Sequence, residues 1–228
     1  MFGTVAFLFR NADHDSVFRE ELSFPMCEYI DVDLPKLPVT LIPYDGDNIT
    51  VKYANDLPLV FAIGDNLLKV SESEEFAISL FTGLGSDFGL YLYVPDKLFR
   101  DISLYSGTGN INIGRVDCHN LSAITNSGDI YCDNLLSHGS FTTTSGKIFV
   151  NYKEIITEAE IFSRNGDVEL TFPKNSSVEV DFETRSGSCV TDLWGGAVTG
   201  SYLYSFNGGR HTVKATLERG TLTIKEKD

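Results

Sequence analysis

The sequence lacks an excess of positive charge and any long hydrophobic run. Its 228 residues include 18 lysines and arginines against 32 aspartates and glutamates, which gives a net charge of −14. A chain of this charge is repelled by phosphate backbones and by anionic membrane surfaces. The apolar run at residues 1–9 is too short to cross a bilayer. We therefore expect no nucleic-acid partner, and membrane contact only through an anchor that precedes residue 1.

Motifs for metal binding are also missing. No CxxC pair, the usual zinc-binding spacing, occurs. The even number of cysteines permits disulfides, but a chain of this size does not require them. His119 and His138 are 19 residues apart, so they could lie on adjacent coils as metal ligands, but we interpret them as solvated loop residues. The four cysteines are Cys27, Cys118, Cys132 and Cys189. We predict neither a metal site nor a cofactor.

The sequence contains no GxSxG or HExxH motif, so it offers no recognisable nucleophile or metalloprotease site. Asp129 and Asp167 hold equivalent positions after two turn glycines, but Lys147 occupies that position in the turn between them. We interpret both aspartates as turn residues that bond local backbone. The DGDN segment at 45–48 lacks the closing Glu of a calcium loop and is interpreted as a hairpin turn. The chain is therefore predicted not to be an enzyme.

What the sequence does contain is a repeat of about 20 residues, each copy centred on a turn glycine. The aligned glycines are Gly109, Gly128, Gly146, Gly166, Gly187 and Gly220, at spacings of 19, 18, 20, 21 and 33 residues. Apolar residues recur two positions after them: Ile111, Ile130, Ile148, Val168, Cys189 and Leu222. Alternation with a period of two surrounds every turn and predicts a half-buried strand on each side. Repeats of this length are typical of stacked structural units.

Stacking in register makes specific contacts. We expect Ile130 and Ile148 to point inward and to touch on adjacent coils, and a ladder of serines and threonines three residues before the glycines. Glycine is expected in the turns because it adopts a positive φ without steric cost. The fold class is therefore an all-β, single-domain solenoid, resembling a parallel β-helix, over residues 15–228, with the N-terminal strands as its first coils. Residues 1–14 are either a first strand or the stub of a membrane anchor.

Residues 192–212 interrupt the repeat just before its final turn. They contain Trp194, the only tryptophan, and the alternating aromatics Tyr202, Tyr204 and Phe206. An open last coil exposes apolar core and unpaired backbone, so one interpretation is a strand whose aromatics cover the end of the solenoid. The other is an exposed aromatic platform that binds a glycan ring or a partner surface. These four aromatics are the candidate ligand-binding residues.

Five segments resemble a known family. NSGDIYC, TSGKIFV, RNGDVEL, RSGSCV and the closing GGRHTVKATLERGTLTI are similar to the recurring S-G-D-I turns of the bacterial "putative adhesin" domain of unknown function. The likeness spans about residues 20–228, and the last turn departs from it with Glu-Arg-Gly. The resemblance implies a right-handed, parallel-stranded solenoid and a location in the cell envelope, on the extracytoplasmic side, and it brings no catalytic residues.

These observations favour a non-catalytic, adhesin-like binding or scaffold module at the cell surface, with an unidentified protein or glycan as its partner. Two alternatives stay open: a carbohydrate-active β-solenoid enzyme and a cytoplasmic assembly scaffold. A row of paired carboxylates in a groove would favour the enzyme.

Overall fold

The computed structural model describes residues 19–54, 57–73, 89–136, 138–191 and 196–227. Within these ranges every regular element is a β-strand, and no helix there is long and apolar enough to cross a membrane. The segment 1–14 lies outside the described residues. The strands are β1 (Arg19–Phe24), β2 (Tyr29–Leu34), β3 (Val39–Tyr44), β4 (Ile49–Ala54), β5 (Leu59–Gly64), β6 (Leu67–Glu72), β7 (Leu90–Pro95), β8 (Phe99–Ser106), β9 (Ile111–Ile113), β10 (Cys118–Thr125), β11 (Ile130–Leu135), β12 (His138–Thr143), β13 (Ile148–Tyr152), β14 (Ala159–Asn165), β15 (Val168–Pro173), β16 (Val178–Thr191), β17 (Gly196–Thr199), β18 (Tyr202–Phe206) and β19 (His211–Lys227).

The two strands of one repeat diverge at the turn instead of pairing with each other. β10 pairs in parallel with β8 and β12, and β11 pairs in parallel with β9 and β13. Two walls result, which we call the pre-turn wall (β8, β10, β12, β14 and the strands aligned with them) and the post-turn wall (β9, β11, β13, β15 and theirs). Each repeat is thus a solenoid coil, and the all-β solenoid expected from the sequence is confirmed.

The core lies between the two walls and has the predicted register. Ile130 is opposite both Ile111 and Ile148, and all three side chains are fully buried. Residues between these inward positions, such as Tyr131 and Phe149, face outward. Strict alternation of this kind follows from the pleat of a strand with only one buried face.

The coils do not stack in chain order. β19 lies between β14 and β16 on the pre-turn wall and between β15 and β16 on the post-turn wall. The turn at Gly220 therefore stacks on that at Gly166, and the turn at Gly187 lies beyond it. At the other end, the coil of β2 and β3 lies between the coil of β6 and β7 and that of β8 and β9.

The turn glycines are required for close packing, and the expectation of positive φ was wrong for most of them. Of the six aligned glycines only Gly220 has a positive φ, at 129°. A Cβ at Gly128 would instead overlap the carbonyl oxygen of Gly109, and one at Gly146 would overlap that of Gly128. Backbones of successive turns approach so closely that a side chain does not fit.

The predicted ladder of hydroxyl groups runs beside these glycines. Thr143 is fully buried, and its Oγ1 accepts the N–H of Gly146 at 2.9 Å and donates to the carbonyl of Gly128 at 3.4 Å. Thr125 makes the same pair of bonds one coil earlier, at 3.0 and 3.3 Å. Each hydroxyl therefore holds its own turn and ties it to the preceding coil.

Leu217 interrupts this ladder. It is fully buried opposite Thr184, whose buried Oγ1 has no hydrogen-bond partner. A leucine has neither donor nor acceptor, so the turn at Gly220 lacks the side-chain bonds that Thr143 makes at Gly146.

Replacing Thr143 with valine tests the ladder. The change keeps the side-chain shape but leaves the N–H of Gly146 buried without its acceptor, so we expect the free energy of unfolding to fall by roughly 1–3 kcal/mol. Thr142→Val, on the outward face of the same strand, is the matched control and should change stability by less than about 0.5 kcal/mol. Urea denaturation measures both values, and equal midpoints would contradict the ladder's role.

Antiparallel strands close both ends of the stack. β5 pairs with β6 at one end and β18 pairs with β16 at the other. On β5, Phe61 packs against the core and lies 5.7 Å from Phe24 and 5.3 Å from Tyr53, measured between ring centroids. The added strands reduce the apolar core that an open last coil would expose.

Candidate functional site

A groove of about 630 Å³ opens on the outer face of the post-turn wall. It begins at Thr40, Ile42 and Pro43 on β3, crosses β9, β11, β13 and β15, and reaches Lys227 at the end of β19. Because neighbouring parallel strands alternate their side chains in register, its lining consists of rows of equivalent residues from successive coils. We call this feature the wall groove.

The wall groove exists because β9 is short and is followed by a glycine. β9 has three residues and is followed directly by Gly114. Asn112 is its only outward side chain, with Thr40 opposite on one side and Tyr131 on the other. A Cβ at Gly114 would run into Pro43. The coil centred on Gly109 thus leaves a depression beside the larger outward side chains of β11 and β13.

Two aromatic rings form one wall of this depression. Tyr131 and Phe149 lie opposite each other on β11 and β13, and their rings stack at 4.8 Å with an interplanar angle of 2°. Tyr131 is 39% exposed. Because Phe149 covers one face of the Tyr131 ring, the other face is turned toward Asn112, which is opposite on β9.

The phenol of Tyr131 is kept as a hydrogen-bond donor. Its hydroxyl donates to Oδ2 of Asp129 at 3.1 Å. Partial burial raises the pKa of Tyr131 above its usual value, and the hydrogen bond to the Asp129 carboxylate raises it further. The ring is therefore neutral and its orientation is fixed from the turn below it.

Amide and carboxylate groups line the groove beside the rings. Asn151 Nδ2 donates to Asp133 Oδ1 at 2.6 Å, and Lys227 Nζ donates to Asn151 Oδ1 at 2.6 Å. Strand β11 has one extra residue here, with Asn134 at a φ of 56°. Asp133 faces the groove by the alternation of β11, two residues after Tyr131, and the extra residue lets Leu135 point inward again.

Each charged side chain of the groove has a polar partner: Asp133 and Lys227 bond to asparagine amides, and Glu169 forms an ion pair. Glu169, next to Phe149 along the row, bridges Lys225 with 2.8 Å between Oε1 and Nζ. Over the described ranges, no three His, Cys, Asp or Glu side chains gather where they could hold a metal ion. The groove thus offers aromatic, amide and hydroxyl contacts.

Asp129 and Asp167 bind backbone between coils. Oδ1 of Asp129 accepts the N–H of Lys147 at 2.7 Å, and Oδ1 of Asp167 accepts the N–H of Thr221 at 3.0 Å. The structure does not bring the two carboxylates together, because the coil containing Lys147 separates them. Both are therefore turn residues that bond to the next coil.

The DGDN segment is not a hairpin turn. β7 lies between β3 and β4, pairing in parallel with β3 and antiparallel with β4. The segment therefore crosses over β7, and the hairpin predicted from the sequence was wrong because local turn residues do not reveal which strand fills the gap. Asp47 forms an exposed ion pair with Lys97 at 2.9 Å, and this hydrogen bond lowers the pKa of Asp47.

Histidines and cysteines form no site in the described parts of the chain. His138 lies opposite Asn120 and not His119, so the two histidines are out of register by one residue.

All four cysteines are buried as free thiols. Burial raises the pKa of Cys189 to about 11, and burial likewise raises that of Cys132. A buried protonated thiol is a poor nucleophile.

The aromatics of β18 lie at the end of the stack. Tyr202, Tyr204 and Phe206 pair with Phe182, Val180 and Val178 of β16, whose side chains face the core. Directly paired antiparallel residues share a face, so all three aromatics lie on the core side. Phe206 packs against the core, and Tyr202 is 44% exposed. A cleft of about 280 Å³ adjoins Tyr204 and Phe206. Trp194 lies outside the described residues.

If β18 caps the core, shortening one of its inward aromatic side chains should lower the stability of the protein. Phe206 lies 4.2 Å from Tyr204 and 6.5 Å from Phe172 between ring centroids. We expect Phe206→Ala to lower the free energy of unfolding by roughly 2–4 kcal/mol, somewhat below a fully buried Phe. Leu203→Ala, on the outward face of β18 and 59% exposed, is the control. Guanidinium denaturation showing equal effects for the two variants would contradict the cap.

Sequence reasoning missed the wall groove. Tyr131 and Phe149 both stand three residues after a turn glycine, and this repeated aromatic position on the outward face was the available signal. The depression beside them depends on the length of β9 and the position of Gly114, which become visible only when the coils are stacked.

A solved structure with 14% identity supports this architecture. A "putative cell adhesion protein" from Clostridium sporogenes ATCC 15579 is similar over 92% of this chain and 99% of its own, with a TM-score of 0.52 and 14% identity. A "putative adhesin" from Bacteroides fragilis NCTC 9343 is similar over 93% and 97%, with a TM-score of 0.44 and 14% identity. No curated protein matches the sequence.

The family assignment comes from the sequence itself. The profile described as Toastrack DUF4097 matches twice, over residues 27–136 and 99–225. Together the two matches span both walls of the described stack, from the coil of β2 and β3 to the second half of β19. The chain belongs to the Toastrack DUF4097 family.

Proposed function

We propose that this protein is a non-catalytic, adhesin-like binding module of the cell envelope that takes its ligand in the wall groove. The observation that carries the proposal is the groove itself, about 630 Å³ in volume and lined by Tyr131, Phe149 and Asn151 on one continuous wall. Concave sites with aromatic walls and a few polar groups are the usual form of a ligand site.

The support beneath the groove is rigid. Strands β3, β9, β11, β13 and β15 are each paired on both sides within the wall. Rows of ladder hydrogen bonds and the buried core hold the outward side chains in place, so little conformational entropy is lost when a ligand binds. A stiff, repetitive surface suits recognition of an extended ligand.

The groove's carboxylates have structural partners. Oδ1 and Oδ2 of Asp133 accept bonds from Asn151 at 2.6 Å and from Asn134 at 2.8 Å. Glu169 is bridged by Lys225. A glycoside hydrolase needs two carboxyl groups that flank one scissile bond as acid and as nucleophile or base. The described arrangement favours binding over the carbohydrate-active enzyme considered from the sequence.

An envelope location is part of the proposal. The Clostridium sporogenes neighbour carries a cell-adhesion name. The net charge of −14 suits a soluble, exposed module that avoids phosphate polymers. A binding role at the surface accounts for an outward groove better than an assembly scaffold in the cytoplasm does.

An array of immobilised glycans and extracellular-matrix proteins tests the binding role. We expect the labelled protein to bind a defined subset, and Tyr131→Ala to weaken that binding. Tyr105→Ala is the control, since Tyr105 is an outward aromatic on the pre-turn wall. Binding that neither variant alters, or binding to nothing on the array, would overturn the proposal.

A further inference from the structure

We infer that the wall groove binds an uncharged polysaccharide of pyranose rings, with one ring stacked on Tyr131. This inference rests on the proposed binding function and names its ligand class. Its elements are a free aromatic face, a slot one ring thick, a row of amide and carboxylate groups, and a lining without net positive charge.

The slot beside Tyr131 has the thickness of one ring. β3 and β11 are separated by β9 alone, so their outward side chains are two strand spacings apart, about 9.6 Å. Van der Waals contact requires about 3.5–4 Å between carbon atoms on each side. One sugar ring therefore fits beside the free face of Tyr131, above the side chains of Asn112 and Thr40, which are hydrogen-bonded to each other at 3.4 Å.

The apolar face of a pyranose ring, formed by its C–H groups, packs against an aromatic face. Tyr131 is held flat for this contact by the stacked ring of Phe149 and by its hydroxyl bond to Asp129. Fixed rings lose little side-chain entropy on binding, which makes an aromatic ring an efficient anchor.

Hydroxyl groups of the sugar require both donors and acceptors. Asn112 and Asn151 carry amides that provide both, Asp133 provides acceptors, and Thr171 provides a hydroxyl. Asp133, Asn151 and Thr171 follow one another on β11, β13 and β15, and Asn151 and Thr171 are directly opposite across the ladder. Polar groups thus recur at about 4.8 Å along the groove.

The groove has room for more than one sugar residue. From β3 to β19 it spans five strand spacings, about 24 Å. One monosaccharide would occupy only the slot beside Tyr131. The remaining lining, from Phe149 to Lys227, would be left without contacts.

Other extended ligands fit less well. A peptide that adds a strand needs unpaired backbone, but each wall-groove strand from β3 to β15 is paired on both sides. An anionic chain would meet Asp133, Glu169 and a protein of net charge −14. An uncharged polysaccharide has neither difficulty.

Affinity electrophoresis in gels that contain a soluble polysaccharide tests the inference. The probes are hydroxyethylcellulose, glucomannan, arabinoxylan and dextran, with polygalacturonate as the anionic comparison. We expect at least one neutral polymer to retard the protein and polygalacturonate not to. Tyr131→Ala should weaken that binding about tenfold, the equivalent of one stacked ring. Asn112→Tyr should abolish it by filling the slot, and Tyr105→Ala should leave it unchanged.

Circular dichroism melting curves that match the parent show that each variant is folded. Retardation by no neutral polymer, retardation by polygalacturonate alone, or retardation that survives both groove variants would overturn the inference. If the array then yields a protein ligand whose binding requires Tyr131, the binding function stands and only the ligand class is wrong. If the array yields nothing either, both proposals fail.

Discussion

Replacing Ile130 with aspartate is expected to abolish cooperative folding or to lower the free energy of unfolding by about 4 kcal/mol or more. Ile130 is fully buried between Ile111 and Ile148 on adjacent coils. A carboxylate there loses its hydration without gaining a partner, which is among the costliest single changes in a protein. Since each coil packs on its neighbours, the defect also weakens the coils on both sides.

Ile124→Asp is the matched control for this change. Ile124 is on β10, the other strand of the same coil, but it faces outward and is 38% exposed. Its replacement should shift stability by less than about 1 kcal/mol. Thermal melts followed by circular dichroism compare the two, and an Ile130→Asp variant that melts with the parent would show that the register is wrong.

Replacing Gly146 with alanine is expected to cost about 3 kcal/mol or more. The new Cβ would overlap the carbonyl oxygen of Gly128, and neither backbone can withdraw without breaking the ladder between the coils. The bonds from Thr143 to both turns would be strained together. One added methyl group thus destabilises the turns of two neighbouring coils.

Gly200→Ala separates this steric effect from backbone conformation. Gly200 has a φ of 87°, and no atom lies within 4 Å of a Cβ placed there. The Gly200→Ala variant should lose only roughly 1 kcal/mol of unfolding free energy, the cost of a left-handed conformation for a residue with a Cβ. If chemical denaturation ranks Gly200→Ala as equal to or worse than Gly146→Ala, the explanation by close packing is incorrect.

The coil architecture could be predicted because it follows from local pattern. Period-two alternation on both sides of each glycine assigned Ile130 and Ile148 to the core, and the common period placed them in register. The serine and threonine ladder followed from the same alignment. Each of these features depends on residues within one repeat and on translation by one coil.

Features that depend on non-local packing could not be predicted. The sequence places the Gly220 repeat last, but β19 enters between β15 and β16 because the chain turns back through β17 and β18 before its final pass. The need for glycine at Gly146 comes from an adjacent turn and not from its own φ. The wall groove depends on Asn112 being beside Tyr131, a contact between residues of different coils.

The choice between two aromatic surfaces decides where the ligand binds. Tyr202, Tyr204 and Phe206, the candidate residues from the sequence, lie on the core side of an edge strand at the end of the stack. Tyr131 instead presents a ring face to an open slot in the middle of a wall. We therefore propose that the ligand binds in the wall groove and that β18 closes the core.

The most direct test of this assignment is a nuclear magnetic resonance titration of the labelled protein with the neutral polysaccharide that retards it in the gel. The account predicts that shift changes concentrate on the backbone amide of Gly114, the side-chain amides of Asn112 and Asn151, and the ring of Tyr131. Changes that concentrate instead on Tyr202 and Tyr204, with the wall groove unaffected, would contradict it.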